Sequence, residues 1–274
     1  MKYIKQTIVA GCTILRSVYP STGTRKPGQK RAQRVNRSPE SVRKTNLRNA
    51  ILKLTAILNA NFQNGDYHIT LTHEDDPTPE EAKERLTRFL ERMRGRAKAK
   101  RKGFDWKWVA TTEHVNKRPH SHVVCSRVER KIIEACWTWG HVSFVPLDTD
   151  GQYSGLADYF CKETEKTFRD PDAVQRQRFT HSRNLIIPEP RNKQITKAEY
   201  LEEIRCPSEE PGYKIDEDTV ERYEHLLTEE ECMFCIMKSG DPIERYTKGR
   251  KAEYEPFYKS TSEENREVTN EREV

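Results

Sequence analysis

Hydrophobic periodicity along this chain switches between two residues and about 3.6, and each switch marks an expected element. In YHITLT, Tyr67, Ile69 and Leu71 alternate with His68, Thr70 and Thr72, the pattern of a half-buried strand. FDWKWVATTE and HSHVVCSR flank the turn HVNKRP and predict an antiparallel hairpin, and GHVSFVPL predicts a further strand. Helical spacing takes over in SPESVRKTNLRNAILKLTAILNANF, where Val42, Leu47, Ile51, Leu54 and Leu58 recur behind a candidate cap, Ser38, and Pro39 at the first helical position. A second helix opens on Thr78 and Pro79 and gathers Ala82, Leu86, Phe89, Leu90 and Met93 on one face; a third is expected over YSGLADYFCKETEK, capped by Ser154. Residues 3–19 read as a β-rich opening and HSRNLIIPEP as a short extended segment. TKAEYLEEIR and DEDTVERYEHLLTEEECMFCIM read as helix-like pieces. The order of elements predicts an α+β fold, a central antiparallel sheet covered by helices on one side.

Composition adds flanks to that core. Hydrophobic and charged residues each make up 34% of the 274 residues, and the mean hydropathy is -0.96, too little apolar material to bury every segment. The net charge of +6 is unevenly spread. Residues 1–61 carry 13 basic and 1 acidic side chains, residues 62–190 carry 22 and 20, and residues 191–274 carry 14 and 22. This divides the chain into a basic N-terminal strand, linker and helix (1–61), a central domain (62–190) and an acidic C-terminal extension, part helical and part disordered (191–274). A basic arm suits a polyanionic partner, and merely solvated flanks are the alternative. The end of the second helix holds Arg92, Arg94, Arg96, Lys98, Lys100, Arg101 and Lys102, seven cations in eleven residues. That exceeds what a helix C-terminus needs for its dipole and makes a phosphate-facing patch a candidate.

Seven cysteines with no scaffold spacing point to reduced thiols, and Cys232 and Cys235 form one CxxC without a second pair. The apolar run before Cys12 in VAGC is only Ile8, Val9 and Ala10, shorter than the roughly 7 to 15 residues of an export signal. No stretch approaches the roughly 18 apolar residues of a membrane span, so a cytoplasmic protein with no membrane partner is expected. A GxxxxGK[ST] phosphate loop is absent, which argues against an ATPase or helicase activity.

The candidate chemistry lies in TTEHVNKRPHSHVVCSR. Side chains at i and i+2 of a strand share a face, so His120 and His122 project together, about 6.5 to 7 Å apart along it, and Glu113 sits across the turn on the partner strand. Two imidazoles and a carboxylate, with positions left for water and substrate, make an open divalent-metal site. A pair of surface histidines beside a turn is the plainer reading. In the following helix Tyr159 and Lys162 stand at i and i+3, flanked by Asp158 and Glu163. A tyrosine hydroxyl attacks a phosphodiester when a metal polarises the phosphate and a cation is near; a core tyrosine with an exposed lysine is the alternative.

HITLT, RPHSHVV, LADYFCKETEK and HSRNL, in this order, resemble the motifs of HUH endonucleases, specifically the rolling-circle replication initiators (Rep) of bacterial plasmids, phages and integrative elements. The resemblance covers roughly residues 62–190 and is weaker at the N-terminal strand and basic helix. It implies that His120, His122 and Glu113 hold Mg²⁺ or Mn²⁺, that Tyr159 is the nucleophile, and that Lys162 helps place metal or phosphate. Ser121 stands where the family usually has a hydrophobe. Tyr153 is a rival nucleophile, but six residues is about 240° round a helix, so one nucleophile is expected. The implied activity is a nickase acting on single-stranded or origin DNA through the Lys/Arg-rich helix end and Arg183. It leaves a 5′-phosphotyrosyl link and a 3′-OH for a host polymerase, with a host helicase unwinding. A transposase or relaxase of the same superfamily, the latter more often with a third histidine, and a non-catalytic DNA-binding regulator are the alternatives.

Overall fold

The computed structural model describes residues 1–21, 39–100, 105–114, 118–147, 151–169, 177–225 and 228–240. The basic linker between Ser21 and Pro39, the C-terminal STSEENREVTNEREV, Arg101 and Lys102, and the side chains of Lys98 and Lys100 lie outside the described residues. Met1–Gly240 forms one compact unit.

Two five-stranded antiparallel sheets organise the described residues. The first begins with a hairpin of β1 (Lys2–Ala10) and β2 (Thr13–Ser21), closed by Gly11 at φ 60°, a left-handed conformation that glycine adopts at little cost. Its order is β8-β1-β2-β10-β9, with β8 (Arg191–Ile195), β9 (Tyr213–Glu224) and β10 (Glu231–Ser239). The second has the order β6-β3-β5-β4-β7: β3 (Tyr67–Thr72), β4 (Trp108–Glu113), β5 (His120–Cys125), β6 (Val142–Pro146) and β7 (Thr180–His181). The helices are α1 (Pro39–Asn61), α2 (Pro79–Lys100), α3 (Arg130–Glu134), α4 (Ser154–Arg169) and α5 (Lys197–Arg205).

The second sheet departs from expectation in being covered on both faces. Ile69, Leu71, Ala110 and Val123 pack with Leu86, Phe89 and Met93 of α2 and with Ile132 and Ile133 of α3. On the opposite pleat Val109 and Val124 pack with Leu54, Ile57 and Leu58 of α1 and with Ala157, Phe160 and Cys161 of α4. Two apolar pleats demand two covering layers.

Helix α1 does double duty. Leu54, Ile57 and Leu58 face the second sheet, while Leu52, Ala56 and Ala60 pack on Ile8, Leu15 and Ile236 of the first. Each fully buried leucine there contributes about 1.5 to 3 kcal/mol, and Leu54→Ala would cost about 2 to 5 kcal/mol through the cavity it leaves. Asn59, buried at the end of the helix, fixes the join. Its amide donates to Thr13 Oγ1 at 2.9 Å and its carbonyl accepts from the backbone of Tyr153 at 2.9 Å, so the β1–β2 turn, α1 and the start of α4 share one side chain.

Residues 197–205 are helical as expected, opened by a capping box of Thr196 and Glu199, but 213–224 and 231–239 are strands where the sequence suggests helix-like pieces. The run CMFCIM is buried on both sides, Met233, Cys235 and Met237 toward α5 and Phe234 and Ile236 toward α1. A continuous apolar run of this length carries no period that separates strand from helix. The same alternation sends Cys235 to one face and Cys232, beside Phe234 and Ile236, to the other. Burial raises both thiols, to about 11 for Cys235 and about 12 for Cys232. No helix among the described residues is long and apolar enough to cross a membrane.

Candidate metal centre

Strand β5 lies between β3 and β4, and the register assembles the site. Glu113 faces His120 across β4–β5, Thr111 faces His122, and on the other side Thr72 and Thr70 face the same two histidines. All of these share one pleat, the face on which α1 and α4 pack.

Glu113 Oε2 lies 3.3 Å from His120 Nε2, with the Glu113 side chain 7% and the His120 side chain 18% exposed. One ligand atom from each of Glu113, His120 and His122 falls within 4.8 Å of the others, so the three could hold a metal ion. Two nitrogens and a carboxylate oxygen form a donor set that fits a divalent cation with open positions for water or substrate. The outer ring nitrogens are occupied in the way metal-ligating histidines require: His120 Nδ1 meets the Arg118 carbonyl at 3.1 Å, and His122 Nδ1 meets His68 Nε2 and Thr70 Oγ1, each at 3.2 Å.

Helix α4 brings the tyrosine. Ala157, Phe160 and Cys161 bury against α1 and the sheet, and Phe160 lies 5.3 Å from the His68 ring and 5.7 Å from the His122 ring. Tyr159, the next residue round the helix, is 40% exposed, and its hydroxyl lies 3.3 Å from His122 Nε2. Buried Glu165 anchors the far half of α4 by pairing with Arg178 and, at 2.9 Å, with Arg43 of α1. Lys162 is 62% exposed and pairs with Asp158 at 2.7 Å, one turn back on its own helix. Tyr153 precedes the helix and is buried with Leu54, Ile57 and Phe160.

The predicted DNA contacts do not gather here. Arg92, Arg94 and Arg96 ride on α2, which packs on the opposite face of the sheet. Arg92 lies over the Trp139 ring at 4.8 Å and donates to the Cys136 carbonyl at 3.2 Å, whereas Arg94 and Arg96 are exposed. Arg183 is exposed beside Ser182, whose amide donates to the Trp108 carbonyl at 2.9 Å. That puts it at the end of β4 opposite Glu113, about 17 Å away along the strand.

Two further groups belong to the surroundings of the site. His68, on the polar pleat of HITLT, touches His122, and burial lowers its pKa to about 4. Its signal lay in the sequence, since it shares parity with Thr70 and Thr72. At the end of β3, His73 is buried against Trp137 with Arg85 at 3.2 Å from Nδ1; burial first, then Arg85, lowers its pKa. Arg85 also grips Asp75 at 2.6 and 2.7 Å and holds that carboxyl at about 2. Both depend on β3 ending beside the 137–141 segment, where Gly140 passes so close to the Thr72 carbonyl that a Cβ would collide with it, and no local pattern announces that approach.

Residues 66–168 match the family model for replication-associated proteins of the ORF2 type. The matched span runs from β3 to α4 and holds Glu113, His120, His122, Tyr159 and Lys162. No curated protein and no solved structure matches the chain.

Proposed function

We propose that this protein initiates DNA replication by nicking one strand, with Tyr159 as nucleophile beside a metal centre of Glu113, His120 and His122. The observation that carries the reading is the Tyr159 hydroxyl, partly exposed and 3.3 Å from a nitrogen of the ligand cluster, within a segment similar to replication-associated proteins. A divalent ion of the Mg²⁺ or Mn²⁺ kind, held by these three residues, would supply Lewis-acid polarisation of the scissile phosphate.

The chain's own groups account for the rest. The Tyr159 oxygen attacks phosphorus: an O–P bond forms, the bond from phosphorus to the 3′ oxygen breaks, the phenolic proton passes to solvent, and the departing 3′ oxygen takes up a proton. The products are a 5′-phosphotyrosyl link and a free 3′-OH. Because one phosphodiester replaces another, the same site can reverse the step and rejoin ends. Lys162, held by Asp158 on the exposed side of α4, offers a cation to the phosphate oxygens. His122 is kept in place by His68 and Thr70, and His120 by the Arg118 carbonyl.

The DNA would be single-stranded at the nick and held through its phosphates by Arg92, Arg94, Arg96 and their neighbours on α2 and by Arg183. The 3′-OH would prime a host polymerase, and with no phosphate loop in the chain, unwinding would fall to a host helicase. His68, the third histidine near the centre, lies behind His122 and outside the cluster of ligand atoms, which favours a replication initiator over a three-histidine relaxase.

The test is incubation with labelled single-stranded oligonucleotides from the protein's own replicon, with Mn²⁺ or EDTA. A denaturation-resistant adduct that needs metal and disappears in Tyr159→Phe is the expected result. Binding without any adduct on every cognate strand would replace the enzyme reading with that of a DNA-binding regulator.

A further inference from the structure

We propose that His68, with Thr70, is the positioning pair that makes His122 a competent metal ligand, by accepting the proton of Nδ1 and so leaving the Nε2 lone pair to face the cluster. The inference rests on the reading of Glu113, His120 and His122 as a metal centre, and it assigns a task to the polar pleat of β3.

A neutral imidazole carries its proton on one nitrogen, and the nitrogen that binds a cation must be the other. His122 has its two nitrogens in different company. Nε2 faces the Tyr159 hydroxyl at 3.3 Å, on the side of the cluster, while Nδ1 faces His68 Nε2 and Thr70 Oγ1 at 3.2 Å each. Either neighbour can accept a proton from Nδ1. Neither can move aside cheaply: Thr70 is the register partner of His122 on the adjacent strand, and the His68 ring is wedged between the rings of His122 and Phe160, 5.3 Å from each. His120 solves the same problem with a backbone carbonyl, that of Arg118. His122 sits in the middle of its strand, where main-chain carbonyls are engaged in the ladder, so its partner has to be a side chain of the next strand. Residues 68 and 70 are the positions whose parity allows it. The rest of the pleat is apolar at this depth, with Val124 and Val109 beside His68 and Phe160 above it, so the polar atoms of His68 have no other service evident among these neighbours.

The experiment uses the full chain and Mn²⁺ as the probe, with calorimetric titration of wild type, His68→Phe, His68→Phe with Thr70→Val, and His68→Gln, each accompanied by a melting curve. Phenylalanine keeps the ring packing against Phe160 and removes the acceptor; glutamine restores one. The double variant should bind Mn²⁺ about 10- to 100-fold more weakly than wild type, the range for removing the hydrogen-bond partner of a metal ligand, with His68→Phe in between and His68→Gln nearer wild type. Long-range ¹H–¹⁵N correlation spectra of the metal-free wild type should show the His122 proton on Nδ1, a readout that needs no variant to fold. Wild-type affinity in the double variant, or a His122 proton on Nε2, overturns the proposal alone. No Mn²⁺ uptake by the wild type overturns the metal-centre reading and this proposal with it.

Discussion

The Tyr159 hydroxyl stands 3.3 Å from His122 Nε2, while Tyr153, six residues earlier, is buried with Leu54, Ile57 and Phe160. The two tyrosines that the sequence left in competition are thus separated by burial, since a phosphate reaches a partly exposed side chain and not one in the core between α1 and α4. Tyr159→Phe should abolish the covalent DNA adduct while leaving the melting temperature close to wild type. Tyr153→Phe should keep the adduct and cost no more than about 1.5 kcal/mol for the lost hydroxyl. Gel analysis of denatured reactions with both variants checks this, and an adduct lost only in the Tyr153 variant would reverse the assignment.

A metal that binds only the folded chain must also stabilise it. At a free concentration of about 100 times its dissociation constant, Mn²⁺ should add about 2.7 kcal/mol to wild type, seen as a rise in melting temperature that EDTA reverses. Glu113→Gln, which keeps the shape of the side chain and removes its charge, should lose most of that rise, as should His120→Ala. Thermal scans with and without Mn²⁺ decide the matter, and equal shifts in all three proteins would place the ion elsewhere.

Much of the site could be read from the chain because strand parity is an arithmetic property. His120, His122 and Glu113 share a pleat by spacing alone, and the structure puts Glu113 directly across from His120. His68 follows the same arithmetic, yet it had no assigned task until β3 was seen to pair with β5 in the register that sets Thr70 opposite His122. What the sequence hid were the consequences of layering. Helix α1 reads as one-sided when only Leu47, Ile51, Leu54 and Leu58 are counted, but Leu52, Ala56 and Ala60 contact a second sheet built from distant strands. The run CMFCIM, buried on both sides in that sheet, gives no periodic signal to tell strand from helix.

The position of α2 separates binding from chemistry. Arg94 and Arg96 are exposed on a helix that covers the opposite face of the sheet from the metal centre, so they can hold a DNA strand without touching the scissile phosphate. Replacing both by glutamine should weaken binding of a long single strand. The slope of log affinity against log salt should fall by about 0.7 for each phosphate of the strand that is no longer neutralised. The rate of adduct formation at saturating DNA should stay within about twofold, because the groups that meet the transition state are untouched. Fluorescence titrations across a salt series measure the first effect and single-turnover nicking the second; an unchanged slope would remove α2 from the DNA path.

The first sheet is held by a charge cluster that predicts its acid sensitivity. Arg16 is completely buried on β2, its guanidinium bound to the Ser208 carbonyl and Glu210 and 4.0 Å from Glu203; Lys5 meets Glu203 at 2.7 Å. A buried guanidinium left without its acids is costly, and breaking such a cluster typically destabilises by about 3 to 5 kcal/mol. Burial alone would raise the Glu203 pKa, but hydrogen bonds from Lys5 and Ser208 outweigh it and the net shift is downward from 4.5. A carboxyl with a lower pKa folded than unfolded binds fewer protons in the native state, so its contribution is complete above pH 4.5 and is lost as pH falls through the folded value. Urea midpoints measured from about pH 7 to about pH 3 should therefore drop at the acid end for wild type. Glu203→Gln should start lower at neutral pH and fall less steeply, the two curves converging as Glu203 protonates. Because α1 is clamped between this sheet and the one carrying the metal centre, the loss should appear in cooperative unfolding of both sheets. Mn²⁺ affinity well below the transition should not change, and a Glu203→Gln protein with wild-type acid sensitivity would show that the cluster does not set it.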